Sequence, residues 1–392
     1  MTCVRRSDYS FMKKLLLVLG FWPTPNSKFR LFRITFFYTV YIGYLLLETT
    51  WFYTFECDIN CVANVLSIFI QNLMIVFKYF IHHRHMTAVY TLYTAIEFDW
   101  KFLRNDKPSI EILRKYAELV NTISISLMIL ICSGTVVVIF MYQILPVLKI
   151  PEENYTRFWQ RPFALKALGK AASYSTLYLI SMNVFLNYII LAALEITFMA
   201  FSEHVCGLLK ITSYHLRYDA NEYIKGISGC EKNSDVYTKI IFAVRVHIKA
   251  MKYVQIIWDM FQMHYTILVL LGIIGATMVF VSFYQLVQTN DEGRMLMIIL
   301  TLLLSFICHV TLTMYFGQRL IDHSLGVFYD AYNSHWYKIP VKAQKLYLMV
   351  LTGSVRGCSY SKGKLFVSSL QGLTAVLNTT FSYIAFFYSV KN

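Results

Sequence analysis

Charge is scarce in this chain, and acid is scarcer than base. Only 15% of the 392 residues are charged, with 36 Lys/Arg against 22 Asp/Glu. A formal net charge of +14 invites a nucleic-acid reading. The basic residues, however, sit in the segments between long apolar runs, where they report membrane topology instead. Proline and glycine are few, 7 and 16, and no Gly/Ser/Pro-rich linker, low-complexity tract or internal repeat interrupts the sequence. That absence argues for a single domain over residues 1–392. Eight cysteines occur without any pairing of metal-binding type. Nothing resembles a nucleophile–base pair, a phosphate loop or a metal-bound water, so neither an enzyme nor a cofactor or metal is expected. Apolar–polar alternation is missing as well, which removes a membrane β-barrel.

What is present is apolar length. Apolar residues make up 57% of the chain and aromatics 17%. The runs are long enough, at ~1.5 Å per residue, to cross a hydrocarbon core of ~30 Å. Backbone groups in lipid must find partners within the protein, so continuous runs of this kind are read as α-helices. The fold class expected is therefore an all-α integral membrane protein with seven spans, near 31–53, 61–81, 120–146, 173–203, 264–288, 295–317 and 365–390. Lys78, near the inner end of the second span, is expected to snorkel. The other Lys/Arg divide 28 to 7 between the two sides. This split places the N-terminus in the cytosol and the C-terminus outside. Asn154-Tyr155-Thr156 is an N-glycosylation acceptor in a loop assigned outside, in agreement. A G-protein-coupled receptor has the opposite orientation; moreover, no Asp-Arg-Tyr follows the third span and no Asn-Pro-x-x-Tyr sits in the seventh.

Residues 1–30 carry a basic start and a short apolar centre that ends in Phe21-Trp22-Pro23, without a small-residue cleavage site. We read an amphipathic segment at the inner membrane surface, with Trp22 at the headgroup level. Residues 239–263 place Ile241, Val244, Ile248, Met251, Val254, Trp258 and Phe261 at helical spacing, opposite Arg245, Lys249, Lys252 and Asp259. This is a fifth-span helix continued into the cytosol, and 318–350 is the best partner for its apolar face, within one subunit or between subunits. His82, His83 and His85 around Arg84 read as a basic interfacial collar. Glu195 and His309 fall inside spans and call for buried partners or water. Cys132 and Cys308 are packing residues; Cys57 and Cys61 could face an oxidising side.

The segment from Gly317 organises the rest. Residues 318–364 are basic and amphipathic. Residues 365–390 then run for 26 positions without a formal charge, yet are rich in hydroxyls and amides. Gln371, Thr374, Asn378, Ser382 and Ser389 share one helical stripe. Two readings stand at this point: a helix whose polar groups bond to its neighbours, or one wall of a pore built from several copies, closed by the apolar Phe386 and Val390 beside Ser389.

Ala331-Tyr-Asn-Ser-His-Trp-Tyr-Lys-Ile-Pro340, Lys345-Leu-Tyr-Leu-Met-Val350, Gly363-Lys-Leu-Phe366 and Phe381-Ser-Tyr383, with Leu19-Gly-Phe-Trp-Pro23 and Tyr315-Phe-Gly-Gln318, resemble the signature of insect odorant receptors. The usual Gln-Lys-Pro is replaced by Arg356-Gly357-Cys358. The resemblance implies a subunit of an odorant-gated, non-selective cation channel that forms a heterotetramer with a common olfactory co-receptor in the plasma membrane of an olfactory neuron's dendrite. It implies residues 1–30 as a cytosolic N-terminal segment, 31–317 as six spans holding an odorant pocket, 318–364 as a cytosolic anchor and 365–390 as the pore helix. Phe386 and Val390 then match the gate, Ser389 the polar ring beside it, and Ser382 and Asn378 the pore wall. The alternatives are a multi-spanning transporter or a gustatory-type receptor. The transporter predicts internal repeats, and the gustatory ending is replaced here by Ser382-Tyr383 and Ser389-Val390.

A pocket for a volatile, apolar ligand needs aromatic and flexible apolar walls. The outer halves of the spans offer Phe69, Gly134, Val138, Tyr142 and Tyr178. Met182, Phe185, Phe283 and Tyr284 complete the candidates. No charged residue stands out among them, so the ligand expected is small and neutral.

Overall fold

Three helices are far longer than a bilayer requires, and they set the shape of the chain. The computed structural model describes residues 9–22, 28–54, 59–139, 169–224, 232–289, 293–359, 361–362 and 366–391. The loop with Tyr142 and Asn154 lies outside the described residues, as does Cys57. Ten α-helices make up nearly all that is described. They are α1 (Ser10–Val18), α2 (Lys28–Thr54), α3 (Ile59–Arg84), α4 (Met86–Phe102), α5 (Lys107–Ile139), α6 (Gly169–Ile224), α7 (Lys232–Thr289), α8 (Gly293–Asn333), α9 (Val341–Ser354) and α10 (Leu370–Lys391). At ~1.5 Å per residue, α6 and α7 each run for about 85 Å, several tens of ångströms beyond a hydrocarbon core. Over the described residues, each of the seven expected spans coincides with one helix, α2, α3, α5, α6, α7, α8 and, from residue 370, α10. Among the described residues, 107–136, 185–222 and 266–284 are long and apolar enough to cross a membrane by length and composition.

The projecting ends of α6, α7 and α8 meet α1, α4 and α9 at what we term the inner end of the molecule, and the largest apolar core lies there. Small side chains let the backbones approach: Ala200, Ala220, Ala243 and Ala250 are all buried. Charged groups in this core are paired, as burial demands. Arg319 Nε and Nη2 donate to the two oxygens of Glu203 at 2.5 and 2.8 Å. Asp99 of α4 accepts from Tyr253 Oη at 2.9 Å, lies 3.1 Å from His204 Nε2 and binds the Lys249 ammonium. Burial alone would raise the Asp99 carboxyl, but His204 and Lys249 hold it below its usual value.

Three expectations about this end change. The apolar face of 239–263 packs within the subunit, yet Ile248 is exposed and Lys249 turns inward to Asp99. The helix is covered on two sides, by α6 and by α9, so its buried arc is wider than one stripe. Residues 9–22 pack against protein and do not stand apart as a surface segment. Helix α1 is tucked against α6, with Met12, Leu16, Phe21 and Trp22 buried. It ends in a left-handed Gly20 (φ 81°), where Gly20 N–H donates to Leu17 O and Phe21 N–H to Leu16 O. Trp22 stacks edge-on against Tyr90 and Tyr93 with the Lys13 ammonium 4.8 Å from its ring centre, so protein takes the place of headgroups. His82 is also a core residue, packed between Phe21 and Phe261, while His83 bonds Tyr38 Oη at 3.1 Å. Among the described residues no group of His, Cys, Asp and Glu is arranged to hold a metal.

Before the last helix the chain makes a short antiparallel ladder, β1 (Ser361–Lys362) with β2 (Phe366–Val367), in the register Ser361↔Val367 and Lys362↔Phe366.

Candidate functional site

The ladder delays the last helix. Instead of starting at residue 365, α10 begins at Leu370, because Ser369 serves as its N-cap: its hydroxyl accepts from Gly372 N–H at 3.1 Å and its carbonyl from Leu373 N–H at 2.9 Å. This start is fixed onto α8. Ser368 Oγ donates to Thr313 O at 3.0 Å, and Leu370 N–H donates to Gln318 Oε1 at 3.3 Å. The approach is close enough to require glycine. A Cβ on Gly317 would sit 2.2 Å from Ser368 O and Oγ, so the Tyr-Phe-Gly-Gln motif is explained by a backbone crossing.

From that crossing α10 runs with one face on α7 and α8 and the other open. Gly372, Val376 and Thr380 are buried; Gln371, Thr374, Asn378, Ser382 and Ser389 are all exposed. Among the described residues, none of these five donates or accepts a side-chain hydrogen bond outside α10. Thr374 donates to Leu370 O at 3.1 Å, Ser382 to Asn378 O at 2.9 Å and Ser389 to Phe386 O at 2.8 Å. The hydroxyl protons are spent on the helix's own carbonyls, which leaves oxygen lone pairs facing outward. Phe386 is 62% exposed beside Ser389, and the Val390 side chain lies outside the described set. Packing of the stripe inside its own subunit, the first of the two sequence readings, is not what the chain does.

A second feature lies behind α10. A cavity of about 70 Å³ is walled by α3, α6, α7, α8 and α10. Most of the wall is apolar, with Met74, Leu268, Phe306, Val310, Met314 and Val376. At one end stands a charged cluster. Lys78 Nζ lies 2.7 Å from Glu195 Oε1 and 2.7 Å from His309 Nε2, His309 Nδ1 lies 3.1 Å from the same Glu195 oxygen, and Thr313 Oγ1 donates to Glu195 Oε2 at 3.0 Å. A neutral imidazole protonated on Nδ1 satisfies all these bonds, accepting from Lys78 and donating to Glu195. Lys78 therefore does not snorkel. Its side chain is 7% exposed, because a carboxylate on α6 meets it at its own depth. Glu195 and His309 find the buried partners expected of them. Thr313 joins the two features: its side chain touches the cluster and its carbonyl holds Ser368 at the start of α10.

Residues 58–381 match the family described as 7tm Odorant receptor. The chain belongs to the odorant receptor family. The fold agrees. The olfactory receptor OR5 of the insect Machilis hrabei, solved with eugenol, superposes with a TM-score of 0.76 over 97% of this chain and 98% of its own, at 13% identity. A second structure of the same receptor superposes with a TM-score of 0.68, at 14% identity and the same coverage. No curated protein matches the chain. This odorant receptor is thus an all-α membrane protein of a receptor family rather than of an enzyme class.

The predicted odorant-pocket residues of this receptor are placed unevenly. Phe69, Gly134 and Phe283 are half-buried, and a Cβ on Gly134 would meet nothing within 4 Å. Met182, Phe185 and Tyr284 are exposed on the single subunit. Val138 and Tyr178 lie on helices, with side chains outside the described set. None of the six whose side chains are described lines the cavity. Sequence reading also missed a buried polar chain linking α2, α3 and α6: Asn72 bonds Glu48, and Asn187 Nδ2 donates to Asn72 Oδ1 at 2.7 Å. Glu48 could have been noticed as the one acid inside the first span.

Proposed function

We propose that this odorant receptor is one subunit of an odorant-gated, non-selective cation channel, assembled with the olfactory co-receptor around α10. The observation that carries the reading is the exposed polar stripe of α10. Hydroxyls and amides that face away from the subunit are costly against lipid, so at membrane depth they call for water or another subunit. Their outward oxygen lone pairs suit a cation, and the stripe itself holds no charge to repel one. Phe386 and Val390 are the proposed hydrophobic gate, Ser389 the polar ring beside it, and Ser382 and Asn378 the wall below.

The proposed odorant is a small, neutral, mostly apolar volatile, held among Phe69, Gly134, Val138, Tyr142, Tyr178, Met182, Phe185, Phe283 and Tyr284. The eugenol bound to Machilis hrabei OR5 is a ligand of that chemical class. The plasma membrane, with the N-terminus cytosolic and Asn154 outside, is the proposed setting.

Expression with and without the co-receptor, read as whole-cell current under an odorant panel, tests the assembly. Current that needs both chains supports the channel. Substrate uptake by this chain alone would favour the transporter, for which the buried Lys78–Glu195–His309 cluster is the best argument.

A further inference from the structure

The charged cluster does not fill the space beside it. Lys78 has three ammonium protons, and its described contacts with Glu195 and His309 occupy two. Glu195 Oε2 carries one described bond, from Thr313, and retains lone pairs. The polar end of the cavity can therefore both donate and accept one more hydrogen bond. Its formal charges already cancel, with one ammonium, one carboxylate and a neutral imidazole, so a further net charge would go unpaired at low dielectric.

Apart from the His82 imidazole, one helical turn from Lys78, the walls beyond that end are carbon and sulfur. Water needs two to four polar partners and does not hold an apolar cavity, whereas a hydrocarbon group does. Taking about 10–15 Å³ for each water-sized occupant, about 70 Å³ accommodates roughly five to seven heavy atoms.

We propose that the cavity between α3, α6, α7, α8 and α10 is a second small-molecule site of this receptor, taking an uncharged aliphatic alcohol or phenol of roughly that size, with its hydroxyl on the Lys78–Glu195–His309 cluster and its carbon body against Val376 of α10. Among the described residues, none of the proposed odorant-pocket side chains lines it, so we treat it as a separate site. It also touches the pore-side helix twice, directly at Val376 and through the Thr313–Ser368 bond.

The test uses the full-length chain in membranes and a butanol that carries a diazirine in its chain, with the photolabel mapped by mass spectrometry. Label is expected on Val310, Met314 or Val376. Excess 1-pentanol should compete about tenfold better than n-hexane, since it adds one hydrogen bond to charged partners. Val376→Phe, which fills the cavity from α10 without touching the cluster, should remove this label and spare label elsewhere. Absence of label from these walls, equal competition by n-hexane, or full labelling of Val376→Phe would each overturn the proposal. If that variant does not reach the membrane, the comparison of competitors on the natural chain decides the matter. Labelling is read without current or co-receptor, so its failure is distinct from a failure of the channel proposal.

Discussion

Helices α6 and α10 both carry polar groups along largely apolar lengths, and they treat them in opposite ways. On α6, Glu195 is surrounded by Lys78, His309 and Thr313, each from another helix of the same chain. On α10, the stripe from Gln371 to Ser389 faces away from every other helix described, and its hydroxyls bond only to their own turn of backbone. The first pattern completes itself in one subunit. The second is incomplete in one subunit, which is what a surface reserved for water or sister chains should look like. The difference teaches that polarity at depth is not one signal: the location of the partners decides between a structural and an assembly role.

Breaking the α6 side should cost most. Glu195→Ala leaves a buried ammonium unpaired and is expected to lose about 3–5 kcal/mol, read as a lowered unfolding temperature of the purified chain. Lys78→Met with Glu195→Leu removes both charges and should recover most of that loss; a double variant as unstable as the single would break the contrast. Next is the crossing that fixes α10. Gly317→Val drives a side chain into Ser368 and is expected to cost about 1–3 kcal/mol and to reduce surface delivery, measured on intact cells.

The inner core should respond to acid with a known sign. Because the Asp99 carboxyl is held below its usual range, its contribution is present above about pH 4 and lost as pH falls through the lower folded value. Lys249→Met should move that loss to higher pH in thermal unfolding curves; superimposable curves would argue that Lys249 contributes little.

The smallest stability effect belongs to α10. Ser382→Ala is expected to change stability by less than about 0.5 kcal/mol, as an exposed hydroxyl bonded to its own helix should. Cysteines at 378, 382 and 389 in the proposed channel, expressed with the co-receptor, should react with water-soluble thiol reagents. Reaction only with lipid-soluble ones would place the stripe against lipid and remove the comparison altogether.

Apolar run length and the distribution of Lys and Arg were enough to locate seven helices, and spacing alone drew the α10 stripe. These are local patterns, written within a few turns of one helix. The Lys78–Glu195–His309 cluster is not local: its members stand 117 and 231 residues apart, and each looks like an isolated oddity in its own span. Trp22 was misplaced for a related reason. An aromatic beside a basic run looks the same whether headgroups or Tyr90 and Tyr93 receive it. Ile248 and Lys249 exchanged sides because one stripe was assumed for a helix with neighbours on two flanks.

The Gly317–Ser368 crossing has a mechanical consequence. It pins one end of a 22-residue helix about 33 Å long and leaves Phe386 near the other. Such a rod is a lever: tilting it about 5° at the pinned end swings the far end by about 3 Å, roughly the width of a water molecule. A rearrangement at Thr313 that tilted the rod would be magnified where the aromatic ring stands, without unwinding any part of α10.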